Sequence, residues 1–237
     1  MKSVLITGST QGIGLATAKQ MVKEGYQVIV HCSKDQAKAD RVAKEIGAYK
    51  GVVADLSDLE ETKALYEKTG EVDCLILNAS VQYKAFWLDI TDEEIEKQLN
   101  VNIRSSLKLM QAYYPAMQAK GFGRIVTIGS VNQYNNHKEL SLYGATKCAV
   151  YHLVENVAKY SSPYGVTVNN VAPGAIATPR NQSVQDNSEL MKAVESKIPM
   201  GRFGTSEEVA NVVCMLCREE SGYITGADIV VDGGMKL

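Results

Sequence analysis

The chain has 237 residues, 45% of them hydrophobic and 22% charged, which is typical of a globular protein with a sizeable core and excludes a disordered chain. Its 25 basic and 27 acidic side chains nearly cancel, so the sequence lacks the basic field that nucleic-acid binding requires. No apolar run approaches the roughly 20 residues of a membrane span, and the run before Gly8 is too short for a signal peptide, so we expect a cytoplasmic protein with no nucleic-acid or membrane partner.

Strand-like and helix-like segments alternate along the first half of the chain. Short apolar runs that end at glycine or polar residues are typical of buried strands, and longer stretches with a period of three to four are typical of helices. Two helices are predicted to begin at capping boxes, Ser57-x-x-Glu60 and Thr91-x-x-Glu94. The other predicted elements are strands at Lys2–Ile6, Gln27–His31, Gly51–Ala54 and Val72–Leu77, and helices at Gly12–Glu24 and Asp35–Ile46.

The alternation continues to the end of the chain. The helix that starts at Thr91 is expected to run to Tyr114, where Pro115 should kink or interrupt it. Continuous apolar strands that alternate with helices predict an α/β fold with a doubly wound parallel sheet in three layers. No linker or repeat interrupts the pattern, so we expect one domain over residues 1–237. The remaining predicted elements are a strand at Arg124–Ile128, a helix at Ser141–Tyr160, a strand at Val166–Val171, a polar segment at 175–205, a helix opened by Thr205-x-x-Glu208 and a strand at Ala227–Val231.

The five cysteines do not form a disulfide framework, because they are odd in number and scattered. Cys214-x-x-Cys217 has the spacing of half a metal site, but it falls in an apolar, helix-like stretch with no second pair elsewhere. We therefore predict that Cys214 and Cys217 are core residues and expect no metal.

The first predicted turn between a strand and a helix is rich in glycine. It reads Thr7-Gly8-Ser9-Thr10-Gln11-Gly12-Ile13-Gly14, and glycines there allow a tight turn and the close approach of a pyrophosphate to the helix N-terminus. The segment from Gly8 to Gly14 is therefore predicted to bind a dinucleotide in a Rossmann-type domain. Its Gly-x-x-x-Gly-x-Gly spacing resembles that of the short-chain dehydrogenase/reductase family.

The residues after the second strand select between the two nicotinamide cofactors. NAD-dependent enzymes place a carboxylate there, which bonds the ribose 2′-hydroxyl and repels a 2′-phosphate. Here the family's acidic position falls near Cys32, and the neighbouring Ser33 and Lys34 could bind a phosphate. NADP(H) is favoured. NAD(H) stays open, because Gln11 stands where many NADP-preferring relatives carry a basic residue and Lys34 could equally be a solvated loop residue.

A tyrosine and a lysine are spaced for acid–base chemistry in Tyr143-Gly144-Ala145-Thr146-Lys147. Residues four apart lie on one face of a helix, so the phenol and the ammonium would share one space. Free tyrosine has a pKa of about 10, and a neighbouring cation lowers it toward neutral pH. Tyr143 and Lys147 are thus a candidate general acid/base pair, although Tyr-x-x-x-Lys alone is common on helices.

Further segments resemble the family's motifs in the same order along the chain. The resemblance implies that Ser130 polarises a substrate carbonyl and that Asn102 holds a water linking Lys147 to solvent. It also implies a catalytic set of Asn102, Ser130, Tyr143 and Lys147, and cofactor contacts by Asp55, Leu56, Asn78, Ala79, Tyr143, Lys147, Pro173, Gly174, Ile176 and Thr178.

Two residues depart from the family's pattern. Ser80 replaces the usual glycine after Asn78-Ala79, and Gly129 replaces a common serine before Ser130. Serine at position 80 alters the backbone freedom that a glycine would give to the chain beside the cofactor. Neither removes a reacting group.

Three loops are expected to build a substrate pocket, at residues 81–90, 131–142 and 175–205. The second loop contains His137 in an unusually polar run. This run could contact a hydroxylated or charged substrate, or it could be a solvated loop. In the first loop, Tyr83, Phe86 and Trp87 could form another wall or cover the core. Within the third, the polar stretch Arg180–Ile198 is predicted to be a lid that excludes water.

The segments Pro199–Gly204 and Tyr223–Gly226 resemble the 3-oxoacyl-(acyl-carrier-protein) reductase-like branch of the family. This resemblance implies an NADP(H)-dependent oxidoreductase that interconverts a carbonyl and a secondary alcohol on a small molecule, and a homo-oligomer, usually a tetramer. Because the loop at 131–139 is polar, a sugar, polyol or small hydroxy-ketone dehydrogenase using NAD(H) stays open as an alternative. A non-catalytic, cofactor-sensing protein is the more remote one.

Overall fold

Seven strands build one parallel sheet. The computed structural model describes residues 1–237, and its strands are β1 (Ser3–Ile6), β2 (Gln27–Cys32), β3 (Lys50–Val53), β4 (Cys74–Leu77), β5 (Gly123–Ile128), β6 (Val166–Pro173) and β7 (Asp228–Val231). They lie in the order β3-β2-β1-β4-β5-β6-β7, and every neighbouring pair is parallel. The strand order reverses between β1 and β4, which confirms the predicted doubly wound fold.

Helices cover both faces of the sheet. They are α1 (Gly12–Lys23), α2 (Gln36–Ile46), α3 (Leu59–Thr69), α4 (Asp92–Gln98), α5 (Ser105–Lys120), α6 (Ser141–Ser161), α7 (Gln182–Gln185), α8 (Ser188–Glu195) and α9 (Ser206–Cys217). α1, α2 and α9 contribute to the core on one face, and α3, α5 and α6 to the core on the other. This is the predicted arrangement of three layers. None of the helices combines the length and the apolar character needed to cross a lipid bilayer.

Alternate residues of a central strand point to opposite faces of the sheet, and both sets are apolar. In β1, Val4 and Ile6 pack with α1 and α9, whereas Leu5 packs with α3, α5 and α6. All three side chains are fully buried. A parallel sheet that is covered on both faces requires such continuous apolar strands.

The predicted strands and helices are confirmed within one or two residues, except that the helix predicted from Thr91 to Tyr114 is two helices, α4 and α5, of which the second runs on to Lys120. The capping boxes at Thr91 and Thr205 are both formed, each with a glutamate three residues later. Cys214 and Cys217 are fully buried in α9, as their apolar surroundings in the sequence predicted.

The predicted capping box at Ser57 is wrong. The N-cap of α3 is Asp58, whose Oδ1 accepts hydrogen bonds from the backbone N–H groups of Glu60 (2.8 Å) and Glu61 (2.9 Å). Ser57 instead donates its hydroxyl to Oδ1 of Asp55 at 2.7 Å. A carboxylate is favoured at the helix N-terminus because it both accepts from the free N–H groups and complements the helix dipole.

The predicted interruption at Pro115 is also wrong, because α5 runs through it without ending. Proline removes one helical hydrogen bond, but Leu109, Tyr113 and Met117 anchor the same helix in the core, and their burial offsets that loss. The irregularity lies earlier, at Leu99–Arg104, which forms a turn of π-helix between α4 and α5.

The polar segment at 175–205 follows β6 and is a loop whose two ends are joined by hydrogen bonds. The N–H of Ala177 donates to the carbonyl of Gly204 (2.8 Å), and the N–H of Gly204 donates to the carbonyl of Ala175 (2.9 Å). Between these joined ends lie a 3₁₀ turn at Pro179–Asn181 and the short helices α7 and α8. The segment predicted as a lid therefore contains local helical structure.

Candidate active site

A cleft of about 610 Å³ includes residues at the C-terminal ends of the central strands, which is where ligands bind in doubly wound sheets. Of the predicted site residues, Ser9, Gly14 and Asn102 do not line it. The others do, namely Gly8, Thr10, Gln11, Gly12, Ile13, Ser33, Lys34, Asp55, Leu56, Asn78, Ala79, Ser130, Tyr143, Lys147, Pro173, Gly174, Ile176 and Thr178. Residues far apart in the sequence thus meet at one edge of the sheet.

The glycine-rich turn after β1 is held by side chains from the strands on either side. Gly8 and Gly12 have φ angles of 62° and 55°, a conformation that glycine adopts readily. Asn78, just after β4, donates from Nδ2 to the carbonyls of Thr7 (2.9 Å) and Gly8 (3.0 Å). From β2, His31 accepts the N–H of Gly8 at Nδ1 (3.0 Å). The turn and the N-terminus of α1 are therefore fixed in a form that suits a pyrophosphate.

His31 is a residue that the sequence analysis missed as part of this turn. Because Nδ1 accepts from the turn, Nε2 carries the proton and donates it to the carbonyl of Ala54 at 3.0 Å. Burial lowers the pKa of His31 from 6.5 to about 4, against a smaller opposing effect of the bond to Ala54. The imidazole is therefore neutral at pH 7. Its signal in the sequence is a polar residue within an otherwise apolar strand.

Lys34 and Asp55 form an ion pair at the end of the cleft beside β2. Lys34 Nζ lies 3.1 Å from Asp55 Oδ2, with the lysine side chain 74% exposed. Burial raises the pKa of Asp55, but hydrogen bonds from Ser57 and the charge of Lys34 more than offset this, so the pKa lies below its usual value. The lysine ammonium and the nearby Ser33 line the cleft together, a donor set that fits a 2′-phosphate.

Three predicted residues lie behind the cleft and support its walls. Ser9 donates its hydroxyl to the carbonyl of Ile6 (2.7 Å) and accepts from the N–H of His31 (3.0 Å). Gly14 lies next to the side-chain amide of Asn78. These contacts place Ser9 and Gly14 in the framework of the glycine-rich turn.

Asn102, the third of these residues, is buried in the π-helical turn. Its Oδ1 accepts from the N–H of Val81, and its Nδ2 donates to the carbonyl of Val81, both at 2.9 Å. Nδ2 also donates to Oγ1 of Thr146 at 3.1 Å. Asn102 thus ties the chain that follows β4 to α6, the helix that carries Tyr143 and Lys147.

Tyr143 and Lys147 lie four residues apart on α6, and both are almost fully buried. Lys147 Nζ donates to the carbonyl of Ile128 at 2.7 Å and lies 5.5 Å from the centre of the Tyr143 ring. Burial raises the pKa of Tyr143, but the charges of Lys147 and Arg180 and a hydrogen bond with Ser130 outweigh it, and the net pKa is lowered. Burial also lowers the pKa of Lys147. The lowered pKa makes the phenol a better candidate for acid–base chemistry than a free tyrosine.

Ser130 lies between β5 and α6 and caps a single 3₁₀ turn at Val131–Gln133. Its Oγ accepts from the N–H of Asn132 at 3.2 Å, and its own N–H donates to Oε1 of Gln133 at 3.3 Å. The capping contact uses the oxygen as an acceptor. The hydroxyl proton remains available as a donor, and the phenol of Tyr143 is within its reach.

The sequence matches one family along nearly its whole length. The family model described as enoyl-(acyl carrier protein) reductase matches residues 8–236. The chain is 33% identical over 245 residues to the 3-oxoacyl-[acyl-carrier-protein] reductase of Staphylococcus aureus, covering 100% of this chain and 98% of that protein. The chain belongs to the short-chain dehydrogenase/reductase family. It is accordingly an oxidoreductase.

Solved structures of short-chain dehydrogenases/reductases superpose closely on the chain. The 3-oxoacyl (acyl-carrier-protein) reductase from Agrobacterium tumefaciens, with NADP bound, is 33% identical with a TM-score of 0.93, over 98% of this chain and 93% of that chain. The gluconate 5-dehydrogenase from Burkholderia cenocepacia, in complex with NADP and tartrate, is 27% identical with a TM-score of 0.92, over 99% and 94%. The same scaffold thus occurs in relatives named for different substrates.

Gly129 departs from the short-chain dehydrogenase/reductase pattern for a steric reason. A Cβ at this position would lie 2.4 Å from Nδ2 of Asn170 and 2.6 Å from Oε1 of Gln133. Asn170 is fully buried and also donates to Asp228 at 2.7 Å. The space that a serine needs before Ser130 is occupied here by this polar network.

Ser80, the other residue that departs from the family's pattern, forms hydrogen bonds with Arg180. The sequence predicts Arg180 only as the first residue of the lid. Arg180 donates from Nη2 to the carbonyl (2.8 Å) and the hydroxyl (3.0 Å) of Ser80. Its Nη1 lies 3.5 Å from the phenol oxygen of Tyr143. Arg180 therefore reaches across the cleft to the chain after β4 and places a guanidinium beside the candidate proton donor.

The predicted substrate loops contribute unequally to the cleft. Gln82, Asn132 and His137 line it, so the polar run at 131–139 does reach the site. Phe86 and Trp87 do not line it, and their exposed fractions are 47% and 70%. The cleft therefore has polar groups from the first two loops beside apolar side chains such as Leu140 and Phe203, and the exposed aromatic pair lies elsewhere.

Proposed function

We propose that the protein is an NADP(H)-dependent oxidoreductase that interconverts a carbonyl and a secondary alcohol, with the substrate pocket built on the same domain, residues 1–237, that binds the cofactor. The observation that carries this proposal is the buried Tyr143 phenol, whose pKa is lowered beside Lys147 and Arg180. It faces the same cleft as the glycine-rich turn after β1.

Each residue of the site has its own role in the proposed reaction. When bound, the nicotinamide supplies or accepts the hydride. Tyr143 gives a proton to the carbonyl oxygen during reduction and takes it back during oxidation. Ser130 donates a hydrogen bond to the same oxygen as charge develops on it. Lys147, fixed by the carbonyl of Ile128, holds its charge beneath Tyr143, and Asn102 supports proton resupply.

Preference for NADP(H) over NAD(H) is supported by the end of the cleft beside β2. Lys34 and Lys38 both line this part of the cleft with Ser33. The one carboxylate there, Asp55, already accepts bonds from Ser57 and Lys34. A 2′-phosphate would meet the ammonium groups of Lys34 and Lys38 and the hydroxyl of Ser33, and charge-assisted bonds of this kind favour the phosphorylated cofactor.

For the substrate, relatives named as 3-oxoacyl-[acyl-carrier-protein] reductases support a 3-oxoacyl compound as the first candidate. A small, hydroxylated compound is the second candidate, in line with the neighbour named as a gluconate 5-dehydrogenase. It is supported by the polar groups of Gln82, Asn132 and His137 at the substrate end of the cleft.

We further propose a cytoplasmic homo-oligomer, with a tetramer as the expected form. All five cysteines are free thiols, which suits a reducing compartment. The edge strand β7 is only half-buried although three of its four residues are apolar, and a second copy would cover it. Light scattering after gel filtration tests the assembly.

The function is tested by following NADPH oxidation with a panel of 3-oxoacyl thioesters, hydroxy-ketones and sugar-derived ketones. Tyr143→Phe removes the proton donor and should lower kcat by roughly 10²- to 10⁴-fold while NADPH binding persists. His152→Gln, an exposed change on the same helix, is the matched control. Tight NADPH binding with no turnover of any compound would instead indicate a sensing protein.

A further inference from the structure

Arg180 is a cation without an acidic partner beside the candidate proton donor. Its Nη2 is used by Ser80 and its Nη1 lies 3.5 Å from Tyr143, but its Nε–H makes no hydrogen bond within the protein. It takes part in none of the eight ion pairs of the molecule. A guanidinium held in place by neutral groups keeps its charge and donors for a ligand.

The other charged side chains at the substrate end of the cleft are also positive. Lys84 and Lys97 also line the cleft and form no ion pair. The only acidic residue among the lining groups is Asp55, which is paired with Lys34 at the opposite, cofactor end. A cleft lined by one sign of charge concentrates ions of the other sign, so this end of the cleft is arranged for an anion although the whole chain carries a formal charge of -2.

We propose that the substrate is a short oxo or hydroxy acid and that Arg180 binds its free carboxylate. The inference rests on the proposed function and names a free acid as the substrate in place of a 3-oxoacyl thioester. Because Nη1 of Arg180 lies so close to the phenol oxygen of Tyr143, a substrate that contacts both must carry its carboxylate near the reacting carbon. The class is therefore a 2-oxo or 3-oxo acid, or the matching hydroxy acid.

The position of Ser80 explains how Arg180 is directed. Its carbonyl and hydroxyl both accept from Nη2, and they turn the guanidinium toward Tyr143 from the far wall of the cleft. A glycine at position 80 would supply the carbonyl but not the hydroxyl. Ser80 is thus a positioning residue, and Arg180 is the group that touches the substrate.

The experiment compares free acids with their methyl esters, which differ in the carboxylate charge. The probes are 2-oxobutanoate, 3-oxobutanoate and longer homologues, each paired with its ester and assayed with NADPH. The wild-type protein should prefer the acid, by roughly 10- to 100-fold in kcat/KM, as expected for a hydrogen bond to a charged group. Arg180→Gln should abolish this preference and Arg180→Lys should restore part of it.

Lys192→Gln is the matched control, because it removes a positive charge from the same segment at an exposed position outside the cleft. It should keep the wild-type preference. A preference for acids that survives Arg180→Gln overturns the inference, as does equal or better turnover of the esters by the wild-type protein. A change in the KM for NADPH alone, with the acid-to-ester ratio unchanged, would assign Arg180 to the cofactor instead. Turnover of neither acids nor esters nor other carbonyl compounds contradicts the proposed function itself.

Discussion

The backbone N–H of Gly8 donates a 3.0 Å hydrogen bond to Nδ1 of His31, so the glycine-rich turn rests on an imidazole from the neighbouring strand. The same ring donates from Nε2 to the carbonyl of Ala54 and thereby joins the ends of β2 and β3. The contact with Gly8 requires the neutral ring, because a second proton on Nδ1 would remove the acceptor that Gly8 uses.

This arrangement predicts acid sensitivity of folding. The pKa of His31 falls from 6.5 to about 4 on folding, so its contribution is complete above pH 6.5 and is lost as the pH falls toward 4, when the unfolded chain takes up the proton first. The shift corresponds to about 3 kcal/mol. The free energy of unfolding of wild type relative to His31→Gln should decrease by about this amount between pH 7.5 and pH 4, measured by urea titration.

The control for this measurement is His152→Gln, since His152 is exposed on α6. Its free energy of unfolding should follow that of the wild type at every pH. A constant difference between wild type and His31→Gln across the range would contradict the buried, neutral imidazole.

Removal of the Arg180 charge should change the pH dependence of catalysis. In the proposed alcohol oxidation the phenolate of Tyr143 would be the base, and Arg180 is one of the charges that lower the pKa of the phenol. Arg180→Gln should therefore shift the acidic limb of the kcat profile with NADP to higher pH. Lys192→Gln should leave it in place, and an unmoved limb in both variants would show that the guanidinium does not act on the phenol.

Lys34 should decide between the two cofactors. Lys34→Met removes the exposed ammonium at the end of β2 and should raise the KM for NADPH by roughly 10- to 100-fold while leaving the KM for NADH nearly unchanged. Lys44→Met, on the exposed face of α2, removes the same charge away from the cleft. If both cofactors weaken equally in Lys34→Met, the phosphate is bound elsewhere.

Gly129→Ser should destabilise the protein. The new Cβ would displace Asn170 or Gln133, and overpacking of a buried site typically costs about 1–3 kcal/mol. Denaturant unfolding measures this, with Ala193→Ser on the surface of α8 as the comparison. If Gly129→Ser is as stable as the wild type, the side chains of Asn170 and Gln133 shift without a cost in the free energy of unfolding.

The fold and most of the cleft were predictable because their signals are local. The continuous apolar strands, the glycines after β1 and the spacing of Tyr143 and Lys147 can each be read within a few neighbouring residues. Ser57 was misassigned because Asp58 beside it competes for the same helix terminus. The contact of Ser80 with Arg180 joins positions 100 residues apart, and no local pattern encodes such a pairing.

The π-helical turn at 99–104 has a geometric consequence for both walls of the cleft. It adds one residue to what would otherwise be a continuous helix, which rotates α5 by about 100° relative to α4. Lys97 before the turn lines the cleft, Leu109 after it lies in the core, and Asn102 within it reaches Val81. The contact of Asn102 with the chain after β4 and the core packing of α5 thus come from one stretch of chain that changes its helical phase between them.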